Sequence, residues 1–385
     1  MTGFSAKRLS RTRGLMEKHV ADGLVPGMVA VLARHGQVHV ETVGALAFDG
    51  AGIAADTIFR LGSTSKPIVA ACVMTLVEDF TLRLDDPVDE LLPELAGMRV
   101  LRDPDGPLGD TVPAVRAITV RDLLTYTMGT GMVPAEPGTI PIADALDTID
   151  GSSADGWLRG LGELPLVHQP GERWMYDTAA TVTGVLVARA TGMSFGEALR
   201  ERLLGPLGMT DTGFSVDPNK INRLAVAYAH RTPTVDDGPT GPVDRPPVFE
   251  RGGGGIVSTP NDFLTFTSML LNGGVHRGER VLSRPSVTLM TTDQLTPRQR
   301  EISGFWPGYF ADIGWGFGLS VRTRRTQLGP SVGSYGWPGY YGTGWWNDPS
   351  EDLTAFVFMQ RAHLGDQGLP MWADLWNSVY QALDD

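Results

Sequence analysis

The chain has one cysteine, Cys72, among 385 residues. That excludes an internal disulfide and any site built on a cysteine cluster, and its place in an apolar run marks it as a buried, inert thiol. Lysine is nearly as scarce: Lys7, Lys18, Lys66 and Lys220 are the only four, against 28 arginines. The net charge is −12 with no basic block to offset it, so a general nucleic-acid binder is excluded. No stretch reaches the ~18 apolar residues of a membrane span. The first thirteen residues include Lys7, Arg8, Arg11 and Arg13 but no apolar core, so no secretory signal is read and a cytoplasmic location is expected. His-Glu-x-x-His and Gly-Lys-Ser/Thr are both missing, which sets aside a zinc hydrolase and a phosphate-cradling loop. None of the seven histidines sits in a recognisable catalytic context, which argues against a Ser-His-Asp hydrolase. His35 and His39 fall on a hairpin and read as structural.

What is present centres on Leu61-Gly62-Ser63-Thr64-Ser65-Lys66-Pro67. A hydroxyl and an amine three residues apart share one face of a helix. A serine hydroxyl needs a neighbouring base to act as a nucleophile, and a buried lysine gives up its proton more easily than one in water. Only Lys66 of the four lysines has a serine three residues before it, a match that chance alone supplies in roughly one chain in four. The surroundings, from Ile58 and Phe59 through Val73 and Leu76, are apolar, which is an unusual setting for lysine.

Taken in order, the chain reads as a helix over 8–23 and a hairpin of Met28–Arg34 with Val38–Val43. The Ser63 helix runs to about Phe80, and a surface loop covers 98–117. Thr119 opens a capped helix with Asp122 at its third position. Residues 132–160 mix loop and short helix, a lid or pocket wall. Pro170-Gly171 turns the chain into Tyr176, and a helix follows, closed by Gly192. Residues 215–250 form a long excursion rich in proline and aspartate. The glycines 252–255 suggest close backbone approach at a strand edge. Thr259-Pro260-Asn261-Asp262 is a helix start, strands recur between Trp315 and Met359, and 371–383 is an amphipathic helix. Strands at both ends with helices between them predict a sheet assembled from the two ends of the chain.

Ser63-x-x-Lys66, then Tyr176, then Trp337-Pro338-Gly339 is the order of motifs in the serine β-lactamase and DD-peptidase superfamily. The blocks Phe59–Pro67, Leu84–Val88, Ile118–Thr125, Pro170–Glu172, Leu204–Met209 and Gly254–Pro260 resemble its class C branch, over most of the chain. The resemblance implies an α+β fold of the β-lactamase/transpeptidase type. An antiparallel sheet flanked by helices would comprise 1–80 and 180–385, and a mostly helical insert, 81–179, would form one wall of the cleft. It implies Ser63 as the acyl-accepting nucleophile, Lys66 against it, and Tyr176 as the second proton-transfer group, its phenol made more acidic by the charge of Lys66. The backbone N–H groups of Ser63 and Tyr340 would form the oxyanion hole. No cofactor and no metal are called for, and the partner is a small-molecule ester or acyl donor.

Two motifs depart from the superfamily pattern. Tyr-x-Asn is Tyr176-Asp177-Thr178, and Lys-Thr-Gly is Trp337-Pro338-Gly339, so an amide and a cation that would contact a β-lactam are missing. This pattern resembles the family VIII carboxylesterases and related natural-product acyltransferases. Trp337, Gly339, Tyr341 and Thr178 are the expected substrate contacts, around an apolar cleft. The expected activity is carboxylic ester hydrolysis. The alternatives are acyl transfer on the same site, weak β-lactamase or DD-peptidase activity, and a cleft that binds without turnover.

Overall fold

In the computed structural model, residues 3–229, 234–235, 241–362 and 369–384 are described. Seven antiparallel strands form the main sheet. In spatial order they are Gln37–Gly44, Gly27–Arg34, Leu353–Phe358, Gly344–Asp348, Tyr335–Pro338, Ser320–Arg322 and Ile313–Trp315. The N-terminal hairpin therefore pairs with the last strand of the chain, Val29 opposite Phe358 and Leu32 opposite Ala355. His35, in the left-handed region at φ 51°, and Gly36 make its turn, and His39 finds a partner two residues on, its Nε2 lying 2.9 Å from Glu41.

The central strands are buried on both faces, which is why they read as unbroken apolar runs. Successive side chains alternate between two cores. Met28, Ala30 and Leu32, with Leu353, Ala355 and Val357, face the helices Ala6–Ala21 and Leu369–Tyr380, meeting Met16, Leu375 and Val379. Val29, Val31, Phe356 and Phe358 face the larger core. There Phe263, on the helix Pro260–Leu271, sits 5.2 Å from Phe356 and 5.1 Å from Phe358. Burying a phenylalanine of this kind contributes about 1.5–3 kcal/mol. The start of that helix is fixed as its sequence predicts: Thr259 accepts from the Asp262 N–H at 3.1 Å, with Pro260 in the first turn.

The larger core continues without a break into the helical region. The helix Lys66–Glu78 runs through it, nearly all of its residues buried, beside Val120–Thr125 and Thr178–Thr191. Residues 98–117 depart from expectation: Arg99–Leu101 and Thr111–Pro113 pair as a small hairpin, closed on its edge by Arg99 bonding Thr111. Three-residue strands are too short to show a period, so their pattern looked like loop. Of the excursion at 215–250, residues 230–233 and 236–240 lie outside the described residues. Among the described residues, no helix is long and apolar enough to cross a membrane.

Candidate active site

Ser63 does not open the α-helix itself. It lies in a single 3₁₀ turn, Gly62–Ser65, that feeds the helix beginning at Lys66. With three residues per turn, positions i and i+3 eclipse each other, and Lys66 Nζ donates to Ser63 Oγ at 2.9 Å. Gly62 is required on two counts. Its φ is +54°, and a Cβ there would stand 2.8 Å from the Tyr340 nitrogen.

This turn is tied to the strand hairpin opposite. Thr343 Oγ1 donates to the Leu61 carbonyl at 2.7 Å and pairs with Thr64 Oγ1 at 2.9 Å. Gly339 lies so close that a Cβ would overlap the Leu61 carbonyl. The backbone of Ser63 and the loop Gly339–Tyr340 are thereby fixed against each other. Neither Thr64 nor Thr343 stood out in the sequence, because a threonine in a turn or at the edge of a strand is ordinary.

Tyr176 arrives on an extended strap. The Gly171 N–H bonds Thr127 and the Met175 N–H bonds Tyr126, while the Tyr176 carbonyl accepts from Met132. The tyrosine ring sits in an aromatic box, with centroids 5.1 Å from Phe305, 5.5 Å from Trp337 and 5.6 Å from Trp174. Lys66 Nζ lies 4.7 Å from its ring centroid. The Trp337 indole N–H donates to the Tyr176 hydroxyl at 2.7 Å, so the tryptophan orients the phenol and is itself only 6% exposed. A groove of about 140 Å³ opens beside Tyr176, lined by Met132, His168, Trp174, Ile302 and Phe305 among others. Burial, then the neighbouring Arg173, pushes the His168 imidazole down, so it is neutral.

Asp177 is the residue that the sequence pattern undervalued. It reads there as a missing asparagine neighbourhood, yet its carboxylate meets Lys66 Nζ at 2.6 Å. The Gly253 carbonyl takes a third lysine proton at 2.5 Å. Backbone geometry aims it: φ is +79° and ψ −62°, with the Thr178 N–H bonded to the Tyr176 carbonyl at 3.2 Å. That is the strained hand of γ-turn, rare in proteins.

The charges correct one expectation directly. Burial is the largest influence on Lys66 and favours its neutral form, but Asp177 and then Tyr176 reverse it, and the net shift is upward. The resting lysine is an ammonium. For Tyr176, burial is again largest and raises the phenol; Lys66 draws it down, Asp177 pushes it back up, and bonds from Ser63 and Trp337 lower it without reversing the result. The expected acidification by Lys66 exists and is outweighed. At rest the cluster is Asp177 carboxylate, Lys66 ammonium and neutral Tyr176, with no net charge.

Of the expected substrate contacts, Thr178 stands half-buried at the start of its helix and Gly339 lies beside the Ser63 turn. Tyr341 is corrected: in the turn between Tyr335–Pro338 and Gly344–Asp348 it is buried, at 1% exposure, and offers no face to a ligand. Trp345 belongs to the core against Phe263, and Trp346 packs on Arg322. The thiol of Cys72, fully buried, is pushed up to about 12 by burial. A Gly-x-Ser-x-Gly string occurs at Gly192–Gly196. It joins a helix end to a helix start, with Ser194 accepting from the Glu197 N–H at 3.2 Å in a capping box, so it forms no nucleophile elbow.

A fold of this topology with a Ser-x-x-Lys turn, a facing tyrosine and an opposing strand loop defines an active-site serine protein of the β-lactamase type. The beta-lactamase family model matches residues 12–376, and the chain belongs to that family. It is 40% identical over 348 residues to protein Rv1367c of Mycobacterium tuberculosis, covering 88% of this chain and 86% of that one. It is 30% identical over 412 residues to esterase EstB of Burkholderia gladioli, covering 98% and 97%. The solved structure of simvastatin synthase from Aspergillus terreus superposes with a TM-score of 0.80 at 23% identity, covering 98% of each chain. The solved structure shares the fold, and one relative of the chain over nearly its whole length is named an esterase.

Proposed function

We propose that the protein is a carboxylesterase that works through an acyl-enzyme on Ser63. The observation that carries this reading is the Ser63 hydroxyl, bonded at 2.9 Å to a buried lysine that also lies over the Tyr176 ring. Ser63 Oγ attacks the ester carbonyl carbon, and its proton passes to the Lys66–Tyr176 pair once that pair has released one. The carbonyl oxygen takes the negative charge and is met by the N–H groups of Ser63 and Tyr340. Two such donors commonly supply a few kcal/mol. The C–O bond then breaks, the pair returns a proton to the leaving alcohol, and water repeats the sequence to free the acid and Ser63.

Trp337 stands where the superfamily carries a lysine beside the substrate carboxylate, and it bonds Tyr176 instead. That supports neutral esters over β-lactams, and EstB, similar over nearly the whole chain, is named an esterase. The groove beside Tyr176, with Met132, Ile302 and Phe305 in its wall, suits an apolar acyl or alcohol group.

The test is turnover of p-nitrophenyl acetate and butyrate beside nitrocefin, on wild type and Ser63→Ala. Ester turnover that falls roughly a thousandfold or more in Ser63→Ala, with slow nitrocefin cleavage, is the expected result. Fast nitrocefin cleavage with little ester turnover overturns it. Ester turnover that accelerates on adding an alcohol, with transfer product formed, moves the assignment to acyl transfer.

A further inference from the structure

Three groups hold Lys66 Nζ: Ser63, the Gly253 carbonyl and Asp177. Only Asp177 is charged, and it differs from the other two in exposure and in backbone. Lys66 has no exposed side-chain surface, whereas Asp177 is 48% exposed. A carboxylate with that much access to water does not need a lysine to be soluble. It nevertheless occupies a sparsely populated, strained backbone conformation, and the turn that holds it there is the one linking Tyr176 to its helix. Gly253 has no side chain to push it away: a Cβ there would stand 3.2 Å from the Asp177 carboxylate.

We propose that Asp177 is a positioning residue that fixes Lys66 as the cation beside Ser63, and so sets how alkaline the solution must be before Ser63 is activated. This rests on the assignment of Ser63 as nucleophile. The sign does not depend on which group takes the serine proton. Asp177 favours the protonated form of Lys66 and of Tyr176 alike, so losing its charge frees a base at lower pH in either case. The other groups facing the cluster are Tyr126 and Tyr309 around Tyr176, both held neutral mainly by burial. Arg251, beside Asp177, stacks on Phe249 and is a second cation whose field reaches the carboxylate.

The readout is the rate at which a fluorophosphonate labels Ser63, followed against pH, because it needs nucleophilic Ser63 but no particular substrate. Asp177→Asn keeps the acceptor oxygen and tolerates the left-handed φ. Asp177→Gly removes the carboxylate and the strain together, and thermal unfolding shows that each variant is folded. The expected result is a profile displaced to lower pH in both, with the rate at pH 7, as a fraction of its plateau, raised roughly tenfold. Asp177→Glu, which retains the charge, should stay near wild type. A folded Asp177→Asn whose profile superimposes on wild type overturns the proposal, and so does loss of labelling at every pH in both Asn and Gly. Wild type that labels yet hydrolyses no ester defeats the esterase assignment alone. Wild type that never labels at Ser63 defeats both.

Discussion

Of the carboxylate–cation pairs on this molecule's helical side, two are built in opposite ways. Asp122 is 4% exposed and is gripped from all sides: Arg116 reaches both oxygens, and the Thr119 N–H, Thr119 Oγ1 and Thr127 Oγ1 add three more bonds. It caps the helix Val120–Thr125 and lies in an unstrained backbone. At the other pair the burial is inverted. The lysine is sealed in, and its carboxylate is half in water on a strained turn. A buried carboxylate with its lone pairs taken up by an arginine, two threonine hydroxyls and a backbone N–H serves the fold. A buried ammonium balanced by one accessible carboxylate and a phenol has a neighbouring state one proton away, and serves chemistry.

Breaking each pair should therefore damage different properties. Lys66→Met breaks the Lys66–Tyr176 pair that takes the serine proton, and ester turnover should fall by about 10³–10⁴; its unfolding midpoint should stay close to wild type, since Asp177 is already hydrated. A cooperative loss of folding in Lys66→Met would erase the distinction. Asp122→Ala should do the reverse, costing about 3–5 kcal/mol in denaturant unfolding because Arg116 and the helix start lose their shared partner, with activity per folded molecule preserved.

The comparison also shows what could be read from letters alone. Thr119-Val120-Arg121-Asp122 announced the structural pair, because a capping box is local and its bonds span three residues. Ser63 and Lys66 were legible for the same reason. Tyr176 was legible only through the order of blocks along the chain, and its neighbour Asp177 appeared as a departure from a motif. Its partner Lys66 is remote in sequence, and no spacing rule connects them. The seven-stranded sheet followed from apolar runs at both ends, whereas the hairpin at Arg99 and Thr111 was too short to leave a pattern. The charge state of Lys66 was misjudged because burial was visible in its apolar neighbours and the compensating carboxylate was not.

Wild-type ester hydrolysis sharpens the contrast through pH. Lys66 and Tyr176 are both shifted upward in the folded protein, and the reactive form carries one proton fewer than the resting cluster. The rate of kcat/KM should therefore climb from neutral into the alkaline range, measured on a substrate whose own hydrolysis is subtracted. A flat profile from pH 6 to 9 would mean the base is already free. Trp337→Phe should cost about 1 kcal/mol, roughly fivefold in kcat, by removing the N–H that orients the Tyr176 hydroxyl. The smallest effect is expected at Arg13, an exposed cation bridging Glu17 and Glu41. Arg13→Ala should leave both the unfolding midpoint and turnover close to wild type, because an ion pair this exposed is screened by water and salt.

The pairing of the first hairpin with the last strand has a consequence in time. A ribosome emits ~5–20 residues each second, so Ser63 and Lys66 leave it long before Gly339, Tyr340 and Thr343. Until those arrive, the serine lacks the loop that faces it, and Gly27–Arg34 lacks the strand beside it. On the proposed mechanism, an unfinished chain has no Tyr340 N–H to meet the charge on an attacked ester, so acylation of Ser63 waits for the last strands to close the sheet.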